Sequence, residues 1–150
     1  MKRMQFKINI QAPVSKVYQA MLEKETYEQW TAIFNPSSTY EGSWEKGEKI
    51  AFIGLDEEGK KQGMQGIIRE NDINRFVSIE YVGLLDGNKE VTEGPMTEGW
   101  LGAFENYTFE AQGQATALTV DLDVDDSMID YFQKTYPKAL DKLKEICEEG

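Results

Sequence analysis

With 150 residues, 40% of them apolar and 11% aromatic, the chain is able to hide roughly 68–70% of its unfolded surface in one core, which excludes disorder as its main state. Sixteen Lys and Arg against 27 Asp and Glu leave a net charge of −11, which repels phosphate backbones and anionic headgroups and excludes nucleic acid and membrane as partners. The absence of any histidine removes every His-based triad, His general base, neutral-pH switch and His-containing zinc site.

Met4, Phe6, Ile8 and Ile10 alternate with Gln5, Lys7, Asn9 and Gln11, the period-2 pattern of a strand with one face on a core. Nothing behind the first charged residues resembles an apolar signal region, and no stretch approaches the ~20 apolar residues that cross a bilayer, so neither a signal peptide nor a membrane span is expected. After Ala12-Pro13, the spacing of Val14, Val17, Ala20 and Met21 predicts a short helix, which Pro13 is suited to start. A second short helix is predicted from Thr26, an N-cap with Gln29 three residues on, through Trp30 towards Phe34, with Asn35-Pro36 stopping it.

From Thr39 to Val124 the punctuation is turn chemistry, as in Glu41-Gly42, Lys46-Gly47, Glu58-Gly59, Asn71-Asp72 and Gln112-Gly113. Between the turns, strands are predicted at Lys49–Leu55, Gln62–Glu70, Phe76–Val82, Phe104–Ala111 and Ala115–Val124, joined as an antiparallel meander. The last is the clearest, with Leu118, Val120, Leu122 and Val124 alternating with Thr119, Asp121 and Asp123. Asp86 to Gly102 has no sustained periodicity and holds four of the 13 glycines plus Pro95, so it reads as a mobile loop whose Trp100 folds onto the core or closes a pocket.

Asp125-Asp126-Ser127 supplies acidic capping side chains for a long terminal helix. Its apolar stripe is Met128, Phe132, Tyr136, Ala139, Leu140, Leu143 and Cys147, and Pro137 inside the stripe predicts a kink or a break. No repeat, low-complexity tract or linker divides the chain, so residues 1–150 read as one domain.

Chemical motifs are few. The acidic run from Asp121 lacks the glycine and the final glutamate of a calcium loop, since Asp126 and Phe132 stand there. Gly63 to Gly66 and Gly94 to Gly99 lack the lysine and the strand-to-helix context of a phosphate loop. The Asn106-Tyr107-Thr108 sequon is read as chance. The single Cys147 cannot form an internal disulfide, lies on the apolar face and reads as a packed thiol in a protein of the reducing cytoplasm. No catalytic residue, metal ligand or cofactor is assigned.

Glu105 is the one unusual acid, because it shares a strand face with Tyr107 and Phe109. A carboxylate pointing inward with them is a ligand contact or a pocket-mouth residue, whereas one at the strand end lies in water, and the pattern leaves both open. A curved sheet against one long helix tends to leave a gap between them, and aromatics with polar tips suit the wall of such a cavity. The candidate ligand-binding residues are therefore Trp30, Phe34, Tyr81, Trp100, Glu105, Tyr107, Phe109, Phe132 and Tyr136.

The order of elements resembles the helix-grip architecture of the START-like (SRPBCC) superfamily, an α+β fold in which a curved antiparallel sheet wraps a long C-terminal helix, with two short helices after the first strand. The opening from Ile8 to Met21, Trp30, Gly66, the stretch from Trp100 to Phe109 and the ending from Tyr131 to Lys144 are similar to the branch related to the activator of heat-shock-protein-ninety ATPase. The resemblance covers essentially the whole chain. It implies a cavity that takes lipid-, hormone- or polyketide-like molecules, in some members cyclase or hydrolase activity, and in the eukaryotic co-chaperone stimulation of a chaperone ATPase.

The co-chaperone's additional N-terminal domain has no counterpart in these residues. The expectation is accordingly, in order, a cytoplasmic module binding a small hydrophobic molecule, a protein-interaction module with a chaperone as partner, and an enzyme using Glu105 or a tyrosine as acid–base.

Overall fold

The computed structural model describes residues 1–94, 97 and 100–149. Alternating side chains build the first strand, β1 (Lys2–Ile10), after which Pro13 stands at the N-cap of α1 (Val14–Leu22), whose buried face is Val17, Ala20, Met21 and Leu22. Helix α2 (Lys24–Trp30) follows after Glu23, which is at once the C-cap of α1 and the N-cap of α2. Thr26 is therefore not the cap: it lies inside the first turn, where its hydroxyl donates to the Glu23 carbonyl. Nor does α2 reach Phe34. Thr31 closes it by donating its hydroxyl to the Tyr27 carbonyl at 2.6 Å, and Phe34 lies in the turn beyond.

The sheet comprises β2 (Thr39–Gly42), β3 (Lys49–Leu55), β4 (Lys61–Asp72), β5 (Phe76–Asp86), β6 (Lys89–Val91), β7 (Phe104–Gln112) and β8 (Ala115–Val124), together with β1. The order across it is β1-β8-β7-β5-β4-β3-β2, with β6 paired to β5 and every pair antiparallel. The meander from β2 to β8 is thus completed by β1, which returns to pair with β8 along its full length, Lys2 opposite Val124 and Ile10 opposite Thr116. Register shifts at Gln65/Gly66 and Ile68/Glu70 bend β4 against β5. At Gly66 a side chain would approach the Ile79 methyl at 2.8 Å, so only glycine permits this strand contact.

The reading of Asp86 to Gly102 as one mobile loop is corrected at its start. β5 continues through Leu84, Leu85 and Asp86, and a two-residue turn at Gly87-Asn88, with Gly87 at φ 66°, folds Lys89–Val91 back onto it. Pro95, with Met96, Glu98 and Gly99, lies outside the described residues. The short strand β2, unpredicted from its composition, gains its backbone partners from β3.

Asp125 accepts a hydrogen bond from the Ser127 backbone N–H at 3.1 Å and starts a single 3₁₀ turn (Asp126–Met128), which leads into α3 (Ile129–Glu148). The predicted break at Pro137 does not occur: α3 is continuous, and burial of Tyr136, Ala139 and Leu140 on both sides of the proline holds the two turns together. Helix α3 packs against β1, α1 and α2, with Phe6 of β1 stacked on the Tyr136 ring at 4.9 Å. It is thereby anchored along one side of the curved sheet, and a space remains over the central strands.

Candidate functional site

That space is a cavity of about 530 Å³. Its apolar wall comes from Trp30 and Phe34 at the end of α2 and the turn after it, Phe52 of β3, Met64 of β4, Leu84 of β5 and Phe132 of α3. Trp100 contributes from the segment before β7, and Tyr27 from α2. Phe34 contacts Phe132 edge-on at 6.2 Å and Tyr136 at 5.3 Å, so the turn after α2 and the first half of α3 meet across one end of the cavity. Asn35 ties that turn to β3 by donating to the Leu55 carbonyl at 3.0 Å, and Gly54 leaves room for the amide, since a Cβ there would come within 2.5 Å of it.

One polar cluster stands in this wall. β7 alternates so that Glu105, Tyr107 and Phe109 share the inward face, and Glu105 retains 8% of its surface. The exposed alternative for Glu105 is therefore the wrong one. Tyr81 of β5 donates its hydroxyl to Glu105 Oε1, while Tyr136 of α3 and Tyr107 donate to Oε2, the latter at 3.2 Å. Three elements thus aim hydroxyl donors at one buried carboxyl group. Burial pushes the Glu105 carboxyl above its ordinary value, and the three hydroxyls, Tyr136 foremost, draw it part of the way back. The same burial, reinforced by the neighbouring Glu105 charge, holds all three tyrosines well above the usual phenol range, so they stay protonated donors at neutral pH.

Eight of the nine predicted residues stand along this wall: Trp30, Phe34, Tyr81, Trp100, Glu105, Tyr107, Phe132 and Tyr136. Phe109 does not. It points inward, but two positions further along β7 brings it beneath α1, where it packs edge-on against Tyr18 at 5.6 Å. Tyr27, Phe52, Met64 and Leu84 were missed. Tyr27 carried a usable signal, because it lies one helical turn before Trp30, whereas nothing local marks Met64 or Leu84 as facing the cavity instead of the filled core.

Among the described residues, no group of Cys, Asp and Glu is arranged to hold a metal ion. Cys147 is buried, and burial pushes its thiol up to about 11, which suits packing and not nucleophilic attack. No helix among the described residues is long and apolar enough to cross a membrane.

The family described as activator of Hsp90 ATPase homolog 1-like protein matches residues 11–148. The chain belongs to this family. Solved structures with the same fold are distant in sequence. A protein of Nitrosomonas europaea superposes with a TM-score of 0.73 at 15% identity, covering 96% of this chain and 92% of that one. One from Arthrobacter aurescens gives 0.75 at 13%, covering 99% and 87%. The Aha1 of Colwellia psychrerythraea, whose solution structure is that of a dimer, gives 0.68 at 20%, covering 100% and 98%. Comparison with curated proteins found no match. For this chain of the activator-like family, the likenesses establish the helix-grip fold.

Proposed function

We propose that this domain binds a small, largely apolar molecule in the cavity between the sheet and α3, with a polar group of that molecule placed against Glu105 and its tyrosines. The observation that carries the reading is the cavity of about 530 Å³, walled by aromatic and aliphatic side chains around one convergent polar cluster. That volume lies within the roughly 300–1,000 Å³ of ordinary small-molecule sites. The setting is a reducing cytoplasm, in keeping with a lone buried cysteine.

Native mass spectrometry of freshly purified protein, followed by thermal unfolding with a library of lipids and aromatic compounds, tests this. A retained or added compound should raise Tm by mass action, and Trp100→Ala should reduce the rise. No shift with any compound refutes the reading.

Family membership favours a second role, docking to a chaperone through the outer surface. Stimulation of an Hsp90 ATPase by this domain, unaffected by Trp100→Ala, would support docking over cavity binding. As an acid–base enzyme the site is less well suited, since three protonated tyrosines already donate to the carboxyl group that is the only buried one in the wall among the described residues.

A further inference from the structure

The charges and hydrogen-bonding groups of the wall limit what can be bound, if the cavity does take a ligand as proposed above. We infer that the bound molecule carries a cationic nitrogen, an alkyl- or arylammonium group, seated against the Glu105 carboxylate among the surrounding aromatic rings.

The wall contains two carboxylates, Glu105 and Asp123, and no Lys or Arg among the described residues. They are not equivalent. Asp123 is already neutralised by Arg3, with Nε 2.8 Å from Oδ1, and it also accepts from the Phe104 backbone N–H at 3.0 Å. Glu105 has only neutral partners; among the described residues, no Lys or Arg forms an ion pair with it. A buried carboxylate held by hydroxyls alone is an incomplete arrangement, because dipoles offset only part of its lost hydration.

The donors point the same way. The hydroxyls of Tyr81, Tyr107 and Tyr136 all face Glu105, so what they leave to a ligand is their oxygen lone pairs. Two further donors of the wall are committed as well: Trp30 Nε1 to the Met21 carbonyl at 3.1 Å and the Thr31 hydroxyl to the Tyr27 carbonyl. A carboxylate or phosphate ligand would therefore meet like charge and acceptor oxygens at the polar end. An ammonium group would meet a counter-ion, acceptors for its N–H groups and the faces of rings such as Phe52 and Tyr81, whose centroids lie 6.0 Å apart.

Three probes on one ring skeleton separate the possibilities: naphthylmethylamine, naphthylmethanol and naphthoic acid, titrated calorimetrically into the intact chain at neutral pH. The amine should bind about tenfold more tightly than the alcohol and the acid more weakly than either, a tenfold step corresponding to about 1.4 kcal/mol. Glu105→Gln should bring the amine down to the alcohol and leave the alcohol within about threefold of its original affinity. Glu110→Gln, at an exposed carboxylate further along β7, should preserve the whole order. Equal binding of all three, or preference for the acid, overturns the cationic assignment while the ligand-binding reading survives. Failure of all three to bind overturns the cationic assignment, and a thermal library that also gives no shift overturns the ligand-binding reading with it.

Discussion

Tyr136→Phe is the most direct probe of the cluster that organises the cavity, because it removes one hydroxyl and leaves the ring stacked on Phe6 in place. Tyr136 is 2% exposed, and its hydroxyl is one of two donors to Glu105 Oε2, the other being Tyr107 at 3.2 Å. Loss of a buried hydrogen bond to a charged group costs about 1.5–3 kcal/mol, since water does not replace the missing donor. For a domain of this size, about 2 kcal/mol lowers Tm by roughly 4–8 °C. Thermal or urea unfolding of the free protein reads this directly. Tyr131→Phe serves as control, because its hydroxyl is exposed and 3.5 Å from the Phe34 carbonyl, and it should change stability by less than about 0.5 kcal/mol. Combining Tyr136→Phe with Glu105→Gln should depart from additivity by more than about 0.5 kcal/mol, as expected for partners in one network. A Tyr136→Phe variant within about 1 °C of wild type, or strict additivity, would refute the view that the hydroxyls hold a buried carboxylate.

Because burial raises the Glu105 carboxyl in the folded state, the native protein binds its proton more tightly than the unfolded chain does. Its contribution to stability is then fully present below the ordinary glutamate range and is lost as pH rises through the raised value. Unfolding free energies of wild type and Glu105→Gln measured across pH should therefore change in favour of wild type as the solution is acidified, since the lowered carboxyls of Asp86, Asp123, Asp125 and Glu148 affect both proteins alike. A difference independent of pH would contradict this. Cys147, buried and with its thiol pushed up to about 11, should resist a thiol reagent in the native protein at neutral pH and react once denaturant is added; rapid native labelling counted by mass spectrometry would contradict it.

How far the chain announces its own structure depends on whether the signal is local. The alternation of Leu118, Val120, Leu122 and Val124 returns as β8 with the predicted ends, Ala115 and Val124, because a half-buried strand repeats the same two environments along its length. The stripe on α3 is equally legible, and five of its members, from Tyr136 to Cys147, are buried. Legibility fails where partners are distant. Thr39–Gly42 becomes a strand only because β3 supplies its ladder, and the extension of β5 past Val82 depends on both β4 and β6.

The same division governs the site. Residue order alone determined that Glu105 and Tyr107 share a strand face, that Trp30 and Phe34 stand near the end of the second helix, and that no histidine or internal disulfide takes part. Tertiary structure decided that Tyr81, 24 positions before Glu105, and Tyr136, 31 after it, turn their hydroxyls onto the same carboxyl group, and that Phe109 lies beneath α1 instead. Whether sheet and helix touch or stand apart is set by the bend of β4 and by where β1 and the short helices anchor α3. These are distances between elements, and no single segment carries them.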